Sequence, residues 1–365
     1  MKYVFVLIVI ANGLFAQKKL KSGFDANEFL DVLHLEWSHQ DSGKYAPPVG
    51  SLPKNYKRIY RSPEVGLKNR FDFWLRDDSV GVFCLRYTVG GGSQSWLENF
   101  YSGMINSSGT LKLNDSTTFN YKFSNDDKAL VHHGWTIGVA HLAPLLTEKI
   151  REYSKLGVKE FIIVGHSQGA ALTFLMRSYL EYAPETIVPK GITYKVYSCA
   201  APKPGNLFYA YDYDFITRNG WGFRIINTSD WVPQTPFTIQ TIGDLHPINP
   251  FAKRKELMRR RVKKPLVRLF VNRAIGDMEH AAVKTNKKYK KHLTKQLTPF
   301  VKKNLPQYKT ANVENSNFYN TAGTPIILQP DANYDSLFKF DGVNIFYNHM
   351  FEPYIYLTKL YYLNK

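Results

Sequence analysis

Gly165, Ser167 and Gly169 stand in the order Gly-x-Ser-x-Gly within FIIVGHSQGAALTFL, residues 161–175. An apolar run of strand formers ends at the first glycine, and a helical pattern starts at Gln168. A sharp strand-to-helix turn of this kind forces the serine into a strained backbone conformation, and glycines nearby let strand and helix approach. The serine oxygen then projects above the sheet. The helix start beneath it puts amide N–H groups and partial positive charge where an oxyanion would form. A serine hydroxyl is a poor nucleophile alone, so a histidine base and an orienting acid are needed elsewhere. The chemistry expected is acyl transfer through Ser167; the plainer alternative is a glycine-rich helix start with a capping serine.

In this topology the partners follow in the order Ser, Asp, His, at the C-terminal ends of later strands. Asp230 meets that requirement, since it follows the strand FRIIN and opens SDWVPQTP, a loop stiffened by Pro233 and Pro236. A turn-forming aspartate without chemistry would suit the same place. Downstream lie His246, His280, His292 and His349. His280 and His292 fall in a strongly basic stretch where a solvated histidine is ordinary, and His246 sits in the loop DLHPINP. His349 closes NIFYN, read here as the last strand, and precedes the aromatic, helix-like FEPYIYLTKLYYL. His349 is the favoured base, with His246 next. Neither CxxC nor HExxH spacing occurs, so no metal is expected.

The elements that must hold these residues alternate. GVFCLRYT is followed by a glycine-rich turn and SWLENFYSGM; a 3.6-period stretch over 134–156 precedes EFIIVG. A helix over Gln168–Tyr182 then leads to the strands TYKVYSCA and GFRIIN. This rhythm predicts an α/β fold with a mainly parallel central sheet and helices on both faces. At 365 residues, 44% hydrophobic and 15% aromatic, the chain is globular rather than disordered. The start, MKYVFVLIVIANGLFA, reads as a cleavable signal peptide over 1–16, too short in its apolar run to span a bilayer, which predicts a secreted or periplasmic product without a transmembrane anchor. Cys84 and Cys199 sit in apolar strands expected to flank the nucleophile strand on opposite sides, roughly 9 to 10 Å apart, beyond disulfide reach.

Residues 251–310 break the pattern. Between Lys253 and Lys309 stand 19 Lys or Arg against three acids, so this insertion carries +16 of the chain's net +18. It reads as largely helical, with PLVRLFVNRAI, residues 265–275, forming a short helix followed by Gly276, its apolar stripe being Leu266, Leu269, Phe270 and Ala274. Such a segment could cap the site, dock on an anionic lipid surface, or be plain solvated surface. No recognisable nucleic-acid module is interleaved with the charge.

Six ordered stretches together resemble the class 3 lipases, the family of the secreted fungal triacylglycerol lipases. They are Arg86-Tyr87-Thr88, Ser95-Trp96-Leu97, His133-Gly134-Trp135, Gly165 to Ala170, Ala201 to Asn206, and Asp230 to Pro236. The resemblance implies an α/β-hydrolase in which Ser167 is the nucleophile, Asp230 the acid and His349 the base. It also implies an oxyanion hole made by the amides of Thr88 and Gln168, a lipid ester substrate, and no cofactor. Tyr87 stands where the family has glycine, and the basic segment lengthens the gap between Asp230 and His349 to 119 residues. The expected activity is hydrolysis of triacylglycerol-type esters. The alternatives are a phospholipase or short-chain esterase at anionic lipid surfaces, or a non-catalytic, basic surface-binding protein on a hydrolase scaffold.

Overall fold

A computed structural model describes residues 18–40, 46–90, 92–246, 248–251 and 253–364; the expected signal peptide lies outside the described residues. Seven strands form the main sheet and neighbour one another in chain order: β1 (Tyr56–Arg61), β2 (Phe71–Arg76), β3 (Gly81–Leu85), β4 (Glu160–His166), β5 (Thr193–Cys199), β6 (Gly222–Asn227) and β7 (Thr324–Leu328). The first two pairings are antiparallel and the next four parallel. The expected mainly parallel sheet is therefore present, with an antiparallel edge.

Strand β4 shows why its sequence is an unbroken apolar run. Phe161 and Ile163 join the apolar cluster on one face, while Ile162 and Val164 join the cluster on the other. Both faces are covered, so the period of two is hidden by apolar residues at every position. On the first face lie α2 (Ser93–Phe100), α3 (His133–Lys155), α4 (Gln168–Tyr182) and α5 (Leu207–Ile216). On the second lie α1 (Ala26–Trp37) and, from the far end of the chain, the terminal helix (Phe351–Tyr362), whose Tyr354 and Leu357 are fully buried. Cys84 on β3 and Cys199 on β5 do flank β4, and both are buried, free thiols.

The insertion adds no strand to this sheet. It contains α6 (Arg254–Arg261), α7 (Pro265–His292) and, after a π-helical turn at Leu293–Leu297, α8 (Thr298–Asn304). Its second half is fastened to the region around α2: the Gln94 amide donates to Asn304 Oδ1 at 2.8 Å, Tyr101 and Thr298 share a 2.9 Å hydrogen bond, and Ser102 bonds Tyr289. Leu293 and Val301 are buried there. No described helix is long and apolar enough to cross a membrane.

Two expectations need correction. Gly276 does not end the helix that begins at Pro265; α7 runs on for 28 residues in all. A mid-helix glycine costs only about 1 kcal/mol relative to alanine, and the alanines and lysines that follow it favour helix. NIFYN is not a strand either: Tyr347–His349 is a short 3-10 turn, followed by α9, our label for the helix Phe351–Tyr362.

Candidate active site

Ser167 is the single residue between β4 and α4, with φ +58° and ψ −123°. That region is costly for a residue with a Cβ and persists only where the surroundings over-determine it. Here the Ser167 amide donates to the Cys199 carbonyl on β5 at 3.0 Å, and the Ser167 carbonyl accepts from Ala171 at 3.0 Å. The flanking glycines are required by close approach. A Cβ at Gly169 would lie 1.8 Å from the Leu85 carbonyl oxygen, and one at Gly165 would lie 2.3 Å from the Gly169 carbonyl carbon. The tip of α4 thus presses on the ends of β3 and β4, leaving Ser167 half-exposed between them.

His349 and Asp230, 119 residues apart, meet at 2.6 Å between Nδ1 and Oδ2. Asp230 is buried and accepts two further hydrogen bonds, from the Tyr354 hydroxyl to Oδ2 at 2.8 Å and from the Val232 amide to Oδ1 at 2.9 Å. Three donors leave the carboxylate as an acceptor, so His349 carries its proton on Nδ1 and presents a lone pair on Nε2. That Nε2 is buried and has no hydrogen-bond partner within the described protein. The turn bearing His349 is tied to β6 by Asn348: its backbone carbonyl accepts from Asn227 Nδ2 at 3.1 Å, its amide donates to the Ser229 carbonyl at 3.1 Å, and its Oδ1 accepts from Tyr334 at 2.6 Å. The ring of His166 packs 4.7 Å from that of His349; burial, with the His349 charge second, pushes its pKa well below the usual imidazole range.

Gln168, the first residue of α4, is buried, and its side chain organises the loop after β3. Its Oε1 accepts from Thr88 Oγ1 at 3.0 Å, Ser95 Oγ at 2.9 Å and Asn99 Nδ2 at 3.1 Å. Its Nε2 donates to Glu98 Oε1 at 3.1 Å. Glu98 is fully buried, and burial raises its pKa to about 8. Asn69 Nδ2 donates to the other Glu98 oxygen at 2.5 Å, and Trp135 Nε1 donates to Asn99 at 2.9 Å. One polar network therefore joins Thr88, Gln168 and the Trp-Leu and His-Gly-Trp stretches. Tyr87, the departure from glycine, packs its ring 5.4 Å from Phe351 and 6.4 Å from His166, lining the side of the same loop.

Aromatic side chains cluster beside His349. Phe346 lies 5.7 Å from Trp96, 5.2 Å from Trp231 and 6.0 Å from His349, ring to ring. Trp231 and Ile345 are exposed, and the Trp231 indole donates to the Ile345 carbonyl at 2.9 Å. The other histidines of the sequence reading are elsewhere: His246 is exposed and accepts from the Ile248 amide at 3.2 Å, and His280 and His292 are exposed on α7. Tyr354, Glu98 and Asn348 were not singled out from the sequence. Each reads there as an ordinary member of its helix or turn; only Glu98, an acid between Leu97 and Asn99 in a short amphipathic helix, carried a faint signal.

Residues 92–240 match the class 3 lipase family. Solved structures similar to this chain include a lipase from Yarrowia lipolytica, 18% identical, covering 60% of this chain and 78% of its own with a TM-score of 0.43. Another is a triacylglycerol lipase from Penicillium expansum, 15% identical, with 59% and 75% covered and a TM-score of 0.41. No curated protein matches. The family match spans the segment that carries both Ser167 and Asp230, so this segment is similar to the class 3 lipases, and the chain is a carboxylic ester hydrolase of α/β-hydrolase fold.

Proposed function

We propose that the protein hydrolyses acyl esters of lipids, of triacylglycerol type, through an acyl-enzyme on Ser167. The observation that carries this reading is the His349–Asp230 hydrogen bond of 2.6 Å, which leaves His349 Nε2 without a partner among the described residues, while the ring of His166, the residue before the strained Ser167, packs 4.7 Å from that of His349. His349 Nε2 takes the Ser167 proton as Oγ attacks the ester carbonyl carbon. Asp230 holds the Nδ1–H tautomer and balances the imidazolium, with Tyr354 and the Val232 amide keeping its carboxylate in place. The carbonyl oxygen, now an oxyanion, accepts from the backbone amides of Gln168 and Thr88, each worth about 3 to 4 kcal/mol in the transition state.

Collapse of the tetrahedral intermediate breaks the ester C–O bond, and His349 returns its proton to the leaving alcohol. Water then attacks the acyl-enzyme with His349 again as base, releasing the fatty acid and restoring Ser167. The apolar cluster of Trp96, Trp231, Ile345 and Phe346 beside His349 favours an acyl chain over a polar leaving group as the part recognised. The test compares hydrolysis of a soluble short-chain ester, an emulsified triglyceride and phospholipid vesicles, each with Ser167→Ala alongside. Faster turnover of the triglyceride, abolished in the variant, is expected. Unchanged hydrolysis in Ser167→Ala overturns the mechanism, and preference for phospholipid or for the soluble ester overturns the substrate.

A further inference from the structure

The first four turns of α7 hold several large apolar side chains out to solvent. Leu266, Leu269 and Phe270 are 67%, 61% and 64% exposed, and Met278 is 74% exposed. At 100° per residue Leu266, Leu269 and Phe270 share one face, and Met278 is exposed off that face. Leu266, Leu269 and Phe270 belong to the stripe whose periodicity suggests a core-facing side, yet each is more than half exposed. Immediately before them, α6 ends in Arg259-Arg260-Arg261, followed by Lys263 and Lys264, all exposed. The three acids of the segment are already engaged: Glu256 with Arg260 at 2.7 Å, Asp277 with Arg273 at 3.9 Å, and Glu279 with the Ile242 amide at 2.8 Å.

An exposed apolar face flanked by concentrated positive charge matches a surface that is apolar inside and anionic outside. A nucleic acid would satisfy the charge but has no use for Leu266, Leu269 and Phe270. The arm is also well placed. Just beyond it Glu279 is bonded to the segment running on from Asp230, and the insertion then fastens to the neighbourhood of α2, behind Thr88. Its anchors therefore lie on the two chain segments that supply the acid and the oxyanion loop. We propose that α6 and the first four turns of α7 dock the enzyme on anionic lipid bilayers, inserting Leu266, Leu269 and Phe270 while the arginines and lysines meet the head groups. Of the proposed function this takes only that the substrate is a lipid ester.

The experiment measures partitioning of the Ser167→Ala protein onto phosphatidylcholine vesicles with and without phosphatidylglycerol, so binding is read without turnover. Each basic residue at an anionic surface raises partitioning roughly five-fold. Arg259→Glu/Arg260→Glu/Arg261→Glu is expected to weaken binding to the anionic vesicles by at least roughly 100-fold. Leu266→Ser/Phe270→Ser is expected to weaken it by roughly 10-fold or more. High salt should weaken the unaltered arm as well. Introduced with Ser167 intact, both sets should leave turnover of a soluble short-chain ester unchanged, which certifies the fold. Equal partitioning onto both vesicle types, or anionic binding untouched by the charge reversal, overturns the proposal. Loss of soluble-ester turnover in Ser167→Ala tests the mechanism separately, so the two ideas fail independently.

Discussion

The elbow and the α6–α7 arm use similar apolar side chains to opposite ends. Along α4 every residue from Gln168 to Leu180 is buried, whereas the first turns of α7 hold leucine and phenylalanine out to solvent. At the elbow an added Cβ would fall 1.8 Å from a backbone oxygen, whereas on the arm Leu266, Leu269 and Phe270 are each more than half exposed. The contrast separates positioning from presentation. Groups that must be aimed to a fraction of an ångström are wedged between two covered faces of a sheet, while a surface that meets a deformable partner tolerates latitude and relies on composition.

The sharpest way to widen the contrast is at Ser167. Ser167→Ala should lower kcat on a soluble ester by roughly 10⁶-fold, with the same fold by circular dichroism, and Asp230→Asn by roughly 10⁴-fold. Gly169→Ala should fail differently. The methyl group cannot be placed without moving α4 off β3, so little folded protein should be recovered, and its melting temperature should drop well below that of the parent.

A second way is through pH, because the network behind the elbow is buried and the arm is not. His132 and His133 are fully buried, and burial lowers each to about 3. The unfolded chain takes up these protons near pH 6.5 while the folded chain does not, so their contribution is present above 6.5 and is lost as pH falls from there toward 3. Glu98 has the opposite sense. With its carboxyl raised to about 8, the folded state keeps a proton that the unfolded state releases near 4.5, so stability declines as pH rises from about 4.5 through 8. Melting temperature against pH should therefore show a maximum where the two opposing slopes cross, and Glu98→Gln should remove the decline toward pH 8. A flat alkaline limb in the parent contradicts a buried neutral Glu98.

Gln168→Leu removes the side chain that joins the Thr88 loop to Glu98 but leaves the Gln168 amide. A fall in kcat of roughly 10 to 100-fold with little change in KM is expected, as for a group that positions rather than binds. The smallest effect is on the arm: Gly276→Ala, in mid-helix, should raise stability by about 0.5 to 1 kcal/mol and leave soluble-ester turnover unchanged.

How much of this could be read in advance follows the same division. The limits of α4 coincide with the reading from the sequence because a fully apolar strand, two glycines and a helical period all agree there. The His349–Asp230 pairing was legible only as an order of residue types; the distance of 2.6 Å depends on a turn that had been read as a strand. NIFYN alternates like a strand, but Asn348 spends both ends of its side chain on Ser229 and Tyr334, and those bonds favour the turn. Tyr354 was hidden among the aromatics of its helix, since nothing local distinguishes a tyrosine that packs from one whose hydroxyl reaches a carboxylate. On α7 the period was visible and its meaning was not. A stripe of leucine and phenylalanine ordinarily marks the face toward the core, and only tertiary structure reveals that no core lies opposite.

The central claim, that Ser167 is activated by His349 and Asp230, is tested most directly by covalent capture. An alkyl phosphonate ester mimics the tetrahedral intermediate and leaves a stable adduct on an activated serine. Intact-mass and peptide mapping should show one adduct per chain, on Ser167, formed at a rate that falls by several orders of magnitude in His349→Gln and not at all in Ser167→Ala. An adduct on another residue, or capture at Ser167 that proceeds at the parent rate without His349, contradicts the account.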